Sequence, residues 1–312
     1  MRNTVLRLAA ALLCLAALPG AAPGGLEEPK FGISNPHPAM ADLLHCLSGK
    51  TTLISAHRGG PAPGYPESAS ETFAHTLAQM PVIFETDVRT TADGVLVLMH
   101  DDTIDRTSDG HGAVAKLSWE ELSHVHLKDN KGHVTAFGVP RLADVLAWMG
   151  GRGLIVLDMK EGADTLAVAK AVRAAKAEPY TGVVAYSLEQ AADFHKADAD
   201  ITIFYPIEKE ADLDGLLAAG IPAGRIVAWT GVERQNAELW RTVHRHGIPV
   251  AFGTLFFADY AMKITGNTEH YAYLAHRGVD IMPTDYPLTA FKIIDAGHKT
   301  ERALGRCRAL GR

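Results

Sequence analysis

The chain has 312 residues, of which 47% are hydrophobic and 21% are charged. This composition is typical of folded globular protein and excludes a disordered or fibrous chain. The formal net charge is -6 at pH 7, which argues against nucleic acid as a partner because a phosphate backbone requires a basic face.

The N-terminus is typical of a secretory signal peptide. Arg2 and Arg7 accompany an apolar stretch at residues 6–18, and small residues with proline follow it. That stretch is shorter than the ~20 residues that span a bilayer, so we expect no stable membrane anchor. We predict a signal peptide at residues 1–22, cleaved near Ala22, and a periplasmic or secreted protein. Lipidation at Cys14 is disfavoured, because Leu13 is larger than the residue that usually precedes such a cysteine.

Two cysteines, Cys46 and Cys307, remain after that cleavage. In an oxidising compartment they could form one disulfide that ties the two ends of the folded region together. Two unpaired thiols are the alternative, and the sequence does not decide between them.

Short β-rich runs alternate with helical stretches from residue 51 onward, which indicates a parallel α/β fold. The nine runs lie at residues 53–56, 82–88, 95–99, 154–159, 183–186, 201–205, 226–229, 250–252 and 279–282. The helical stretches lie at residues 71–80, 142–149, 166–176, 188–196, 213–219, 237–246 and 270–277. Without a Gly-x-Gly-x-x-Gly turn, this alternation favours a single (β/α)8 TIM barrel over a doubly wound sheet. A barrel needs eight strands, and we expect the surplus run to be 226–229, which is short and close to its neighbours.

The domain organisation follows from the same alternation. Residues 101–139, rich in Gly, His, Asp and Thr, interrupt it and predict a small insertion on the barrel rim after the third strand. We predict an N-terminal extension at 23–50, the barrel at 51–298 and a C-terminal tail at 299–312.

Acidic side chains end the second run. Glu85 and Asp87 share one face, because side chains alternate along a strand. Two carboxylates on one face are costly unless a cation joins them. We therefore expect a divalent metal, Mg²⁺ or Ca²⁺, bound through oxygen, with His100 at the end of the third run for proton transfer.

Two other runs end in residues of the same kind. His57 and Arg58 follow the first run, and Asp158 and Lys160 end the fourth. Barrel enzymes draw their catalytic groups from the C-terminal ends of several strands. Three carboxylates that hold a metal, together with flanking cations, suit the binding of an anionic phosphoester. These residues therefore indicate phosphoryl chemistry.

One local pattern argues against this site. Six residues separate the runs 82–88 and 95–99, and Asp93-Gly94 is a favourable hairpin turn. Parallel neighbours usually need a crossover of a dozen residues or more. In an antiparallel pair, His100 would lie ~20 Å below the acids at ~3.3 Å per residue, so the site requires the two runs to be parallel.

The motifs HRG, YPES, ETDVRTTADGVLVLMHDDTIDRTSDGHG, VLDMK and TDYP, in this order, resemble the glycerophosphodiester phosphodiesterase family. The resemblance extends from about residue 53 to residue 287. It implies a (β/α)8 barrel whose third strand follows the second almost directly. It also implies a set of site residues: metal ligands Glu85, Asp87 and Asp158, catalytic His57 and His100, and substrate-binding Arg58, Lys160 and Glu67.

The reaction that the resemblance implies is metal-dependent hydrolysis of glycerophosphodiesters to glycerol 3-phosphate and an alcohol, with His57 as base or nucleophile and His100 as acid. At the third metal-ligand position, this chain has Asp158 where the family more commonly has glutamate. AFGTLF also departs from the family's late strand, so we expect Phe252, Thr254 and Phe256 to line the substrate end differently. One alternative is a phospholipase D-like enzyme that acts on sphingomyelin or lysophospholipid through a cyclic phosphate. Another is a non-catalytic barrel that binds phosphoesters or sugars.

Overall fold

The computed structural model describes residues 31–295 and 298–310. The predicted signal peptide, Ala22 and Cys14 lie outside the described residues. Eleven strands occur in this part of the chain: β1 (Leu53–Ala56), β2 (Ile83–Thr90), β3 (Leu96–Leu98), β4 (His126–Lys128), β5 (Val134–Gly138), β6 (Leu154–Met159), β7 (Thr181–Val184), β8 (Thr202–Pro206), β9 (Ile226–Trp229), β10 (Val250–Ala251) and β11 (Ile281–Thr284).

Eight of these strands form a closed parallel barrel in the order β1-β2-β6-β7-β8-β9-β10-β11, and β11 pairs with β1 to complete the ring. Every residue of β6 is buried, as expected for a strand covered on both faces. The predicted (β/α)8 barrel is confirmed.

Helices surround the barrel and connect its strands. Those of the described residues are α1 (Met40–Leu47), α2 (Ser70–Leu77), α3 (Trp119–Leu122), α4 (Leu142–Met149), α5 (Thr165–Ala175), α6 (Leu188–Ala197), α7 (Glu210–Ala218), α8 (Ala237–Arg245), α9 (Ala258–Thr265), α10 (Glu269–His276), α11 (Pro287–Ile294) and α12 (Lys299–Leu310). Side chains of Asp164, Ser187 and Asn236 cap the N-termini of α5, α6 and α8, which satisfies amide donors that the helix itself leaves free. Among the described helices, none is both long and apolar enough to cross a membrane.

The two ends of the described chain meet beside the barrel. Helix α1 lies in the predicted N-terminal extension, and α12 lies in the predicted C-terminal tail. Cys46 and Cys307 form a disulfide with 5.8 Å between their Cα atoms. Of the two possibilities that the sequence left open, the structure has the disulfide.

The third run of the sequence does not belong to the barrel. β3 pairs with β2 in antiparallel register, Val88 opposite Leu98, so the expectation of a parallel third strand is wrong. The distance argument against an antiparallel hairpin is wrong as well, because β2 continues to Thr90 and the turn lies beyond it. The amide of Met99 donates to the carbonyl of Asp87 over 3.0 Å, which puts His100 one residue past the level of Asp87.

Two further expectations change with this register. The run 226–229 is not surplus, because β9 pairs in parallel with both β8 and β10. The surplus strand is β3. The rim insertion therefore starts after the second barrel strand, and it carries a two-stranded sheet of β4 and β5. A small apolar cluster that includes Ile104, Val114 and Leu127 gives this insertion a core of its own.

Candidate active site

Three carboxylates meet at the C-terminal ends of β2 and β6. Asp87 and Asp158 lie opposite each other in the parallel register, and Glu85 shares their face. One oxygen from each of the three lies within 4.8 Å of the others. Burial, together with the charges of Asp87 and Asp158, raises the pKa of Glu85 to about 7. Three carboxylates at this separation repel each other, and a cation between them would relieve the repulsion.

Lys160 balances part of this negative charge. Its Nζ lies 2.8 Å from Oδ1 of Asp87 and 2.6 Å from Oδ2 of Asp158. Burial alone would lower the pKa of Lys160, but the two carboxylates outweigh burial and the pKa is raised. Tyr186 holds the other oxygen of Asp158, because its hydroxyl donates to Oδ1 over 2.7 Å. The short side chain of Asp158 is thus fixed from both sides.

Arg58 lies in a tight turn directly after β1. Its backbone is left-handed, with φ 49° and ψ 34°, a conformation that costs energy for a residue other than glycine. In this conformation its amide donates to Oε2 of Glu85 over 3.1 Å. Its guanidinium Nε lies 3.6 Å from Oδ2 of Asp87, and Nη1 donates to Oε1 of Glu67 over 3.2 Å. The turn therefore brings one cation against the carboxylate cluster.

A chain of charge pairs leads from Arg58 to His100. Glu67 accepts from Nη1 and Nη2 of Arg106 at 2.9 and 2.8 Å, and Arg106 also donates to Asp101 at 2.6 and 2.9 Å. Burial opposes the charge of Glu67, but Arg106 and Arg58 lower its pKa. The Arg106 hydrogen bond likewise holds the pKa of Asp101 well below its usual range. Glu67 therefore holds two arginines in place.

Both predicted histidines are paired with a carboxylate through the same ring nitrogen. Nδ1 of His57 lies 2.7 Å from Oδ1 of Asp285, and Nδ1 of His100 lies 2.6 Å from Oδ1 of Asp101. Burial lowers the pKa of His57, but Asp285 and Glu85 outweigh burial and the pKa is raised. Because a carboxylate fixes Nδ1, the other ring nitrogen, Nε2, is the one available for proton transfer in each histidine.

A cavity of about 150 Å³ opens beside the carboxylates. Its polar lining includes His57, Glu85, Asp158 and Tyr186. The remaining lining residues are Ser55 and the apolar Val156, Val184, Phe204, Trp229, Leu255, Ile281 and Pro283. A small, mostly apolar cavity with a few convergent polar groups is typical of a ligand site.

The AFGTLF segment contributes differently from what we expected. Phe252 is buried and packs edge-on against Trp240, with 5.3 Å between the ring centroids. Thr254 is buried as well, and Phe256 is 69% exposed. Leu255 and Trp229 line the cavity, and none of these three residues is among those that line it.

Sequence reasoning missed four residues that hold the predicted ones in place: Asp285, Asp101, Arg106 and Tyr186. Asp285 directly follows β11, so the strand-end argument that selected Asp158 would also have selected Asp285. Arg106 lies six residues after His100 in the motif, but its distance from Glu67 in the sequence hides their pairing. Nothing in the local sequence marks Tyr186.

Fold and site together define a TIM barrel with a cluster of three carboxylates and two histidine–carboxylate pairs at the end of the barrel where such enzymes bind substrate. Residues 57–205 match the model of the glycerophosphoryl diester phosphodiesterase family. A glycerophosphoryl diester phosphodiesterase from Parabacteroides distasonis has a crystal structure that is 30% identical to this chain. Its superposition has a TM-score of 0.79 and covers 86% of this chain and 95% of the other. The chain belongs to the glycerophosphoryl diester phosphodiesterase family.

Two further relatives extend the comparison. A glycerophosphodiester phosphodiesterase from Caldanaerobacter subterraneus is 33% identical over 113 residues, which cover 36% of this chain and 46% of that relative. The match thus spans about half the length of this curated relative. A phosphodiesterase from Oleispira antarctica, solved in complex with the product sn-glycerol-3-phosphate, is 19% identical with a TM-score of 0.59, over 78% of this chain and 97% of the other. At that identity it shares the fold.

Proposed function

We propose that the protein is a metal-dependent phosphodiesterase that hydrolyses glycerophosphodiesters to glycerol 3-phosphate and an alcohol. The observation that carries this proposal is the buried carboxylate cluster between Arg58 and Lys160, with a histidine–carboxylate pair, His57–Asp285, at the same cavity. Family membership supports the same reaction.

The residues at the cluster fit a divalent cation. Oδ2 of Asp87 is buried, lies 3.6 Å from Nε of Arg58 and accepts no hydrogen bond in the described part of the chain, so it could serve as a ligand to a metal. Oxygen ligands suit Mg²⁺ or Ca²⁺, and Glu85, Asp87 and Asp158 would hold the ion. When bound, the ion supplies positive charge for the phosphate oxygens and for the three carboxylates.

The side chains of the chain itself divide the remaining work. Arg58 and Lys160 bind the phosphate and share the charge that develops on it. Nε2 of His57 takes the proton from the attacking hydroxyl, either of water or of the substrate's own 2-hydroxyl; on the second route, water then adds to the cyclic phosphate and opens it to glycerol 3-phosphate. As the new P–O bond forms and the P–O bond to the alcohol breaks, His100 gives a proton to the departing oxygen. Asp285 and Asp101 keep both rings oriented for these transfers.

Phosphorus NMR of the products tests this function. With purified protein and glycerophosphocholine, we expect the signal of glycerol 3-phosphate, its loss after dialysis against EDTA, and its return with Mg²⁺ or Ca²⁺. Full activity in EDTA would contradict the metal requirement. A cyclic phosphate as the end product would favour the phospholipase D-like alternative, and saturable binding of glycerol 3-phosphate without turnover would favour the non-catalytic barrel.

We also propose that the protein is exported to the periplasm or the medium. The signal-like residues 1–22 support this proposal, and so does the Cys46–Cys307 disulfide, because disulfides persist in oxidising compartments. N-terminal sequencing of the protein from the producing cell is expected to give a start near Ala22. A start at Met1 or Arg2 in a cytoplasmic fraction would contradict export.

A further inference from the structure

A buried aspartate in α9 organises the segment that follows the last barrel strand. Asp259 is 2% exposed. Its Oδ1 accepts from the hydroxyls of Thr254, Tyr271 and Thr284, each at 2.8 Å. Its Oδ2 accepts from the backbone amide of Asp285 at 2.7 Å. The hydroxyl of Thr254 is shared with the carbonyl of Pro283, 3.0 Å away.

These donors come from separate parts of the fold. Tyr271 lies in α10, Thr254 lies in the loop after β10, and Thr284 ends β11. Thr284 also accepts from the amide of Tyr286 over 3.0 Å. The backbone on both sides of Asp285 is thus held, directly or through Thr284, by one carboxylate.

The carboxylate of Asp259 has no cation beside it in the described part of the chain. Within residues 31–295 and 298–310, no lysine, arginine or histidine lies at ion-pair distance from it. A buried carboxylate without such a partner is costly unless hydrogen bonds compensate it. The two oxygens of Asp259 accept four hydrogen bonds, and these bonds compensate for its burial. The arrangement fixes the backbone of Asp285 more strongly than an apolar contact would.

Asp285 is the residue that holds Nδ1 of His57 at 2.7 Å. The side chain of Asp285 is 49% exposed, so solvent offers it other orientations, and the backbone must restrict them. We propose that Asp259 is a positioning residue for His57, and that it acts through the backbone amide of Asp285. This inference rests on the proposed role of His57 in catalysis.

The substitution Asp259→Asn keeps the shape of the side chain and removes one acceptor. The amide group of asparagine has to face either the Asp285 amide or the cluster of hydroxyls with N–H groups. It cannot accept from both sides, so the backbone at Asp285 loses its fixed position or the hydroxyls lose a partner. Asp280→Asn is the matched control. Asp280 is 5% exposed, accepts from the amides of Gly49 and Val250, pairs with Nε2 of His244 at 2.7 Å, and precedes the opposite end of β11.

A double-mutant cycle on kcat with Asp285→Asn separates positioning from general stabilisation. Asp259→Asn alone is expected to lower kcat about tenfold, the effect of one hydrogen bond to a charged group, with KM unchanged. In the Asp285→Asn background it is expected to lower kcat no further, because residues that act in series are not additive. The same fractional loss in both backgrounds, or an unchanged kcat, would overturn the inference. Asp280→Asn is expected to lower the melting temperature without lowering kcat.

A second readout does not depend on turnover, so it stands even if the proposed reaction fails. The ring ¹⁵N signals of His57, assigned with a His57→Gln variant, are expected to show a shifted tautomer balance in Asp259→Asn and not in Asp280→Asn. Unchanged His57 signals in Asp259→Asn would overturn the inference. If Asp259→Asn does not fold, Tyr271→Phe, which removes one donor to the same carboxylate, goes through the same cycle. Tyr271→Phe is expected to lower kcat in the chain that keeps Asp285 and not in the Asp285→Asn variant. An equal loss of kcat in both, or no loss in either, would overturn the inference.

Discussion

Replacing Asp285 by asparagine removes the charge that holds His57 and leaves the shape of the side chain. A hydrogen bond to a charged group is worth ~1.5–3 kcal/mol, which corresponds to ~10–150-fold in rate at ~1.4 kcal/mol per decade. The side chain of Asp285 is 49% exposed, and solvent screening puts the expected effect at the lower end of this range. We therefore expect kcat/KM to fall about tenfold.

The same substitution should change the pH dependence of activity. Asp285 and Glu85 raise the pKa of His57 against the opposing effect of burial. If His57 is the base, activity rises as pH rises through this pKa, because the neutral ring is the active form. Asp285→Asn lowers the pKa, so the acidic limb of kcat/KM is expected to move to lower pH.

Stability should respond with the opposite pH trend. Because the pKa of His57 is raised in the folded state, the stabilisation by the pair is fully present below the pKa of an unfolded histidine, about 6.5. It is lost as pH rises through the raised folded value. Urea denaturation in EDTA is therefore expected to show a lower free energy of unfolding for Asp285→Asn at pH 5 and little change at pH 9. An unchanged kcat/KM together with an unmoved acidic limb would refute the role assigned to Asp285.

Three other changes test separate parts of the structure. Calorimetric titration with Mg²⁺ or Ca²⁺ is expected to show weaker binding at pH 6 than at pH 8, because the pKa of Glu85 is raised to about 7 and its proton must leave. Asp87→Asn should abolish metal binding, and the exposed control Glu161→Gln should not. Metal binding that does not depend on pH and survives Asp87→Asn would argue against this cluster. Gly59→Ala is expected to cost at least about 2 kcal/mol of stability, because φ is +84° and a Cβ would lie 2.5 Å from Cε1 of Phe73. Gly49→Ala, where φ is +69° and no atom lies near the added Cβ, should cost less, and equal losses of stability in urea denaturation would contradict the clash. Cys46→Ser is expected to lower the free energy of unfolding by about 3–5 kcal/mol, since the disulfide joins residues 261 apart in sequence. A similar loss is expected for the reduced wild type, and an unchanged free energy of unfolding in both would show that the disulfide does not stabilise the fold.

The chemistry of the site could be predicted from sequence because it depends on one local rule. Catalytic side chains follow the C-terminal ends of parallel strands, and this rule alone selected Glu85, Asp87, Asp158 and His57. His100 is different, because its position depends on how far β2 extends beyond the barrel before the chain turns. That length is set by pairing with β3, which the Asp93-Gly94 turn indicates but does not measure.

The supporting residues were beyond the reach of the same rule. Tyr186, Arg106 and Asp259 contact the site from loops and helices, and their partners are 28, 39 and 26 residues away in sequence. Such pairs depend on the tertiary fold, so the periodicity of the sequence does not predict them. The surplus strand was misassigned for a related reason. β9 is as short as the sequence suggested, and only its pairing with β8 and β10 identifies it as part of the barrel.

The most direct test of the two-histidine account is single-turnover cleavage of glycerophosphocholine by His57→Gln and His100→Gln with saturating metal. His124→Gln is the matched control, because His124 is an exposed histidine of the rim insertion. General acid–base catalysis contributes ~10²–10⁴-fold, so each of the first two variants is expected to lose at least about a hundredfold in rate while the control keeps the wild-type rate. Wild-type cleavage in both His57→Gln and His100→Gln would contradict the account.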